Sequence, residues 1–131
     1  MGLIPVDPKW AKVPVAQWLA AFQKPSKGLL DEGLSALIDE LTEHFPQPGY
    51  LTYPETPVIL RKGRHIAPHK HPEHLIIYFP LGNPAKLITA VGEFTPIRNS
   101  AIYLAPNILH SVERVTTKAP RLSLALRWET G

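Results

Sequence analysis

Apolar positions in the first third of the chain recur at helical spacing. After Pro14, a residue suited to a helix's first turn, Val15, Trp18, Leu19 and Phe22 fall at i, i+3, i+4 and i+7. A second helix is predicted from about Gly28 to His44. Leu30, Leu34, Leu37, Ile38, Leu41 and Phe45 form its apolar stripe, and Pro46-Gln47-Pro48-Gly49 stops it. Both stripes read as packing faces. From Tyr50 the pattern shortens. Apolar or alternating runs at Val58–Arg61, His74–Phe79, Lys86–Val91, Ala101–Leu104, Ile108–Val115 and Leu122–Trp128 predict strands, and prolines separate them. Short strands at close, fairly even spacing favour a sandwich or barrel over a parallel βαβ sheet. The pattern therefore predicts a mainly β chain: two helices (residues 1–49) packed on a small antiparallel barrel (residues 50–131).

Composition narrows this picture. A chain of 131 residues fits one domain, and 44% apolar content supplies a packed core. With no cysteine, disulfides, thiolate nucleophiles, zinc fingers and iron–sulfur clusters are excluded, so any metal would be held by nitrogen and oxygen. Neither a leader-like apolar segment nor a run of membrane-spanning length is evident, which leads to the expectation of a cytoplasmic protein with no membrane role. The net charge is only +3. Arg61, Lys62 and Arg64 form a small basic cluster amid scattered acids, so a solvated surface is expected and nucleic-acid binding is not.

The candidate chemistry is histidine. Gly63 to His74 reads GRHIAPHKHPEH and holds His65, His69, His71 and His74, four of the chain's six histidines. Neutral imidazole offers a lone pair near pH 7. On an extended strand His69 and His71 project to one side, and His110, from a later strand, would complete a three-nitrogen set. Three protein ligands leave coordination positions open, as a catalytic metal requires. His65 and His44 read as ordinary surface positions. No Gly-X-Ser-X-Gly elbow, P-loop or Gly-X-Gly-X-X-Gly is present.

These residues resemble a family. Gly63, five residues, then His69-Lys70-His71 is similar to the first cupin motif, and Asn99 to His110 resembles the second, with Asn99 where glycine is usual. The 39-residue gap between His71 and His110 suits a small cupin, and the likeness runs over about residues 57–128. The resemblance implies a double-stranded β-helix, or jelly roll, with one divalent metal on His69, His71 and His110. Fe, Zn, Mn, Ni and Cu all suit such ligands, and Fe(II) is the expected choice. The family's glutamate would fall at Leu75 or Ile76. Glu73 and His74 are the nearby candidates to replace it. A site without that carboxylate carries one more positive charge and would favour an anionic substrate.

The chain also resembles the Fe(II)- and 2-oxoglutarate-dependent oxygenases, which share the barrel and use a His-X-Asp/Glu…His triad. His71-Pro72-Glu73 with His110 fits that pattern. Arg121-Leu122-Ser123, starting eleven residues after His110, resembles the family's Arg-X-Ser, whose arginine grips a carboxylate. Without the resemblance, Arg121 and Ser123 read as the exposed positions of an alternating strand whose other face is Leu122, Leu124, Leu126 and Trp128.

Three functions follow as expectations. The first is a small-molecule metalloenzyme (oxygenase, lyase or isomerase) acting on an oxygen-bearing anion. Its candidate catalytic residues are Glu73 and Tyr78, and its candidate substrate-binding residues are Arg121, Ser123, Arg114 and Tyr103. The second is a 2-oxoglutarate dioxygenase using His71, Glu73, His110 and Arg121. The third is a non-catalytic ligand-sensing or assembly module. A homodimer is expected by likeness to cupins.

Overall fold

The computed structural model describes residues 2–23, 33–52 and 54–131. Among these residues ten strands lie in two antiparallel sheets, with helices on one outer face. In chain order the strands are β1 (Gly2–Ile4), β2 (Gly49–Leu51), β3 (Thr56–Leu60), β4 (Ile66–His69), β5 (His74–Phe79), β6 (Leu87–Thr89), β7 (Gly92–Phe94), β8 (Ser100–Leu104), β9 (His110–Val112) and β10 (Arg121–Thr130). A 3₁₀ turn at Pro8–Lys12 precedes the helices α1 (Val15–Phe22) and α2 (Ser35–Thr42). The larger sheet runs β1-β8-β5-β10. Both β2 and β3 pair with β10. The smaller sheet runs β4-β9-β6-β7. The chain is mainly β with antiparallel sheets, as the pattern predicts, and no ladder among the described residues joins the two sheets into a closed barrel.

Strand parity divides the core. On β5, Ile76 and Tyr78 face the helices, packing with Trp18, Leu37, Leu41 and Phe45, while Leu75, Ile77 and Phe79 face the smaller sheet. On β10, Leu122, Leu124, Leu126 and Trp128 face the helices. The larger sheet is thus the middle of three layers, covered on both faces.

The predicted stripes are buried at Trp18, Phe22, Leu34, Leu37, Ile38, Leu41 and Phe45, whereas Val15 is exposed. The start of the second predicted helix, residues 28–32, lies outside the described residues. The N-terminal segment is not purely helical, because β1 adds to the larger sheet beside β8. Strands β1, β2, β4 and β7 hold three or four residues each, too few to show a period.

Two asparagines set the turns before β8 and β9. Asn99 and Asn107 have φ of 58° and 63°. Asparagine tolerates this left-handed conformation better than most residues with a side chain. That is the physical reason Asn99 can stand where the motif has glycine. Its amide also binds across layers, with Oδ1 accepting from the Tyr78 hydroxyl at 2.7 Å and Nδ2 donating to the Asp7 carbonyl at 3.2 Å.

Candidate metal centre

His69 ends β4 and His110 begins β9, and the two are directly paired across the antiparallel ladder. His71 lies just past the end of β4, where its carbonyl accepts a 2.7 Å hydrogen bond from the Asn107 amide. Ring centroids are 4.3 Å apart for His69–His110, 4.9 Å for His69–His71 and 5.3 Å for His71–His110. One ring nitrogen of each lies within 4.8 Å of the others.

The surroundings prepare these rings as ligands. His69 Nδ1 is 2.8 Å from the Ala67 carbonyl and His110 Nδ1 is 2.9 Å from the Ile108 carbonyl. A carbonyl only accepts, so each Nδ1 donates its proton there and Nε2 is the nitrogen left to face an ion. Burial pushes the His71 pKa down to about 4, with Arg127 and the other two imidazoles adding to the effect. Burial also lowers His110, helped by His69 and opposed by the bond to Ile108. These two rings are therefore neutral at pH 7. The donor set fits a divalent ion that accepts imidazole nitrogen.

The three histidines line a cavity of about 120 Å³ between the sheets. Leu75, Ile77, Phe79, Leu87 and Val112 supply apolar walls. Among the described residues the charged lining consists of Arg121 and Arg127 on β10, with Ser123 between them on the same face, and no carboxylate takes part. Arg121 is 2% exposed and Ser123 7%. The Arg121 guanidinium lies over the Phe79 ring, 5.2 Å from its centroid, and Nε donates to the Ala85 carbonyl at 3.0 Å. Nη2 has no hydrogen-bond partner among the described residues. Burial lowers the Arg121 pKa to about 10; the group remains a cation at neutral pH.

The reading of Arg121 and Ser123 as exposed positions is therefore overturned. The polar face of β10 meets a cavity closed by the second sheet, not water. Arg127, which sequence reasoning missed, shares that face four residues beyond Ser123, so strand parity alone would have found it.

The remaining candidates lie elsewhere. Tyr78 is fully buried on the helix side of β5, where burial raises its pKa, and its hydroxyl is engaged by Asn99. Tyr103 also packs on the helix-side core, 2.6 Å from His74 Nδ1. His74 sits one residue out of step with Leu75, which lines the cavity. Glu73 and His74 line a separate surface cavity and are not in the three-histidine group. Leu75, at a position where the cupin motif has its glutamate, puts an apolar side chain into the site. Arg114 and His65 line an outer groove on the smaller sheet, with Arg114 Nη1 donating to the Gly63 carbonyl. His44 is exposed.

No protein-family model and no curated protein sequence matches the chain. Solved structures do match it. A nickel complex of the non-haem monooxygenase ThoJ aligns with a TM-score of 0.66 at 9% identity, covering 97% of this chain and 73% of ThoJ. A 2OG-Fe(II) oxygenase family oxidoreductase from Burkholderia pseudomallei aligns with a TM-score of 0.56 at 13% identity, covering 79% of this chain and 55% of that one. A Cupin 2 conserved barrel domain protein from Salinispora arenicola CNS-205 gives a TM-score of 0.50 at 19% identity, covering 62% and 74%. These likenesses establish the fold: the chain is built like cupin-domain proteins and like members of the 2OG-Fe(II) oxygenase group.

Proposed function

We propose that this chain is a metal-dependent enzyme that holds one divalent ion, Fe(II) by preference, on His69, His71 and His110 and acts on a small oxygen-bearing anion. In this reading the two sheets are the halves of a jelly roll, and residues 1–131 work as one domain. The observation that carries the proposal is the lining of the inter-sheet cavity: three convergent imidazoles, two arginines and, among the described residues, no carboxylate. An ion held there would act as a Lewis acid with coordination positions left for an oxygen ligand. The protein side chains do the rest. Arg121 supplies a desolvated cation that a carboxylate would neutralise, in the forked geometry that arginine favours. Ser123 offers a hydroxyl on the same face, and Leu75, Ile77, Phe79 and Leu87 exclude water from the reacting group. The cavity's volume favours a small molecule.

Two experiments test this. Protein purified without a nickel column is expected to carry close to one divalent ion per chain, and removing that ion is expected to lower Tm. Absence of stoichiometric metal, together with an unchanged Tm in the His69→Ala/His110→Ala variant, would overturn the proposal.

Burial of Arg121 with Ser123 favours one narrower reading, in which 2-oxoglutarate is the anion. In that version Glu73 is not a ligand and His69 takes the carboxylate's place. Anaerobic Fe(II) plus 2-oxoglutarate is expected to give a visible charge-transfer band that Arg121→Ala removes. A wild-type protein without the band would exclude this version while leaving the broader one standing.

A further inference from the structure

A second cavity of about 230 Å³ opens where the β4–β5 connection meets the end of β10. Its polar lining is Glu73, His74, Glu129 and Thr130, with Trp128 as an apolar wall, and among the described residues neither lysine nor arginine takes part. Glu73 is 8% exposed, yet its Oε2 has no hydrogen-bond partner among the described residues. A buried carboxylate oxygen without a donor is costly and calls for a partner that is not part of the fold. Glu129 Oε2 accepts from the Tyr50 hydroxyl at 3.1 Å, and His74 is held by Tyr103 at 2.6 Å, so the other walls are already positioned. The charge is opposite to that of the inter-sheet cavity, in a chain whose net charge is +3.

We propose that this cavity binds an organic cation, an alkylammonium or guanidinium group, with Glu73 as its buried anchor and Glu129 at its rim. The spacing of the ligating groups separates this from a second metal site. Among the described residues, only His69, His71 and His110 bring three ligating atoms within 4.8 Å of one another. A metal ion needs that convergence, whereas an ammonium or guanidinium spreads several N–H donors over a wider cradle. The cavity is also far larger than one bridging water requires, which is about 15 Å³ of comparable volume. The cation would sit beside the metal centre. Pro72 follows His71, and Pro106 precedes Asn107, whose amide binds the His71 carbonyl.

The probes are n-butylammonium, methylguanidinium and Nα-acetyl-lysine amide, titrated into the intact chain and followed by amide NMR shifts and calorimetry. Saturable binding by at least one probe, weakened tenfold or more by Glu73→Gln and unchanged by His69→Ala, is the expected result. Binding by the lysine derivative alone would assign the cation to a peptide side chain, and binding by the simple ions would assign it to a free amine or guanidine. If Glu73→Gln does not fold, Glu129→Gln is expected to weaken binding at least threefold. No saturable shift with any probe, or affinity unchanged by the glutamate variants, would overturn the proposal. Neither result bears on the three-histidine site, which metal analysis reads separately.

Discussion

His69 and His110 face each other across the β4–β9 ladder with ring centroids 4.3 Å apart, and each is locked by a carbonyl two residues before it. Two hydrogen bonds thus fix the tautomers, so Nε2 of each ring is held ready. Replacing both with alanine is expected to abolish stoichiometric metal uptake. It should also remove the metal-induced rise in Tm, which for a ligand at a hundred times its Kd corresponds to about 2.7 kcal/mol. Metal analysis and thermal unfolding with and without a chelator check this. Because both rings sit at strand ends, the variant is expected to keep its far-ultraviolet dichroism.

Arg121 is a buried cation whose Nη2 goes unanswered among the described residues. In the proposed function the bound anion would offset that cost, and the ligand-free protein bears it alone. Arg121→Met is therefore expected to raise the stability of the ligand-free protein by about 1 kcal/mol or more in denaturant unfolding. Small carboxylates such as succinate are expected to raise the wild-type Tm, and the same change is expected to abolish that rise. A variant both less stable and still responsive to carboxylates would contradict the assignment of Arg121 to the anion.

Tyr78 is an attractive candidate in sequence because it lies in the strand that follows the histidine cluster, but it points to the helices. Tyr78→Phe is expected to cost about 1–2 kcal/mol, since Asn99 Oδ1 loses its donor. Metal content and carboxylate binding should stay at wild-type values, which a catalytic or ligating tyrosine would not allow.

The difference between Tyr78 and Arg121 shows what could be read from the residues. Strand β5 is legible to the residue, because the apolar and aromatic run that follows Pro72 and His74 can form little else. The apolar stripe of α2 is equally plain, and so is the histidine spacing. Alternation on β10 misleads, because a polar position every second residue means only that this face is not packed with hydrocarbon. Water and a polar cavity write the same pattern, and the second sheet that closes the cavity comes from residues far away in the chain. The parity of Tyr78 had the opposite problem. Both faces of β5 are apolar, so nothing local says which one meets the cavity. Strands of three residues such as β1 and β7 carry no period at all, and their pairing is decided by the longer strands beside them.

Asn99 offers a test of the degenerate second motif. Asn99→Gly keeps the left-handed backbone accessible but loses the bonds to Tyr78 and Asp7, while Asn99→Ala loses both and strains φ as well. Denaturant unfolding is expected to order the three as Asn, Gly, Ala, with Ala below Gly by about 1 kcal/mol. Equal stability of the Gly and Ala variants would mean that φ at this position is not a constraint.

Leu75 lines the cavity where a cupin-like carboxylate would enter, and it is the cross-strand partner of Arg127. Leu75→Glu is expected to destabilise the metal-free protein, since a carboxylate replaces an apolar wall 3% exposed. Metal binding should then recover more stability than in the wild type, because the new oxygen can ligate the ion, and metal affinity measured by chelator competition is expected to rise tenfold or more. The added negative charge also offsets one of the cavity's arginines, so carboxylate binding is expected to weaken in the same variant. Tighter metal and weaker anion binding arising together from one substitution would tie the absent glutamate to the choice of an anionic substrate. If metal affinity were unchanged, Leu75 would lie out of reach of the ion, and the positive cavity would need another explanation.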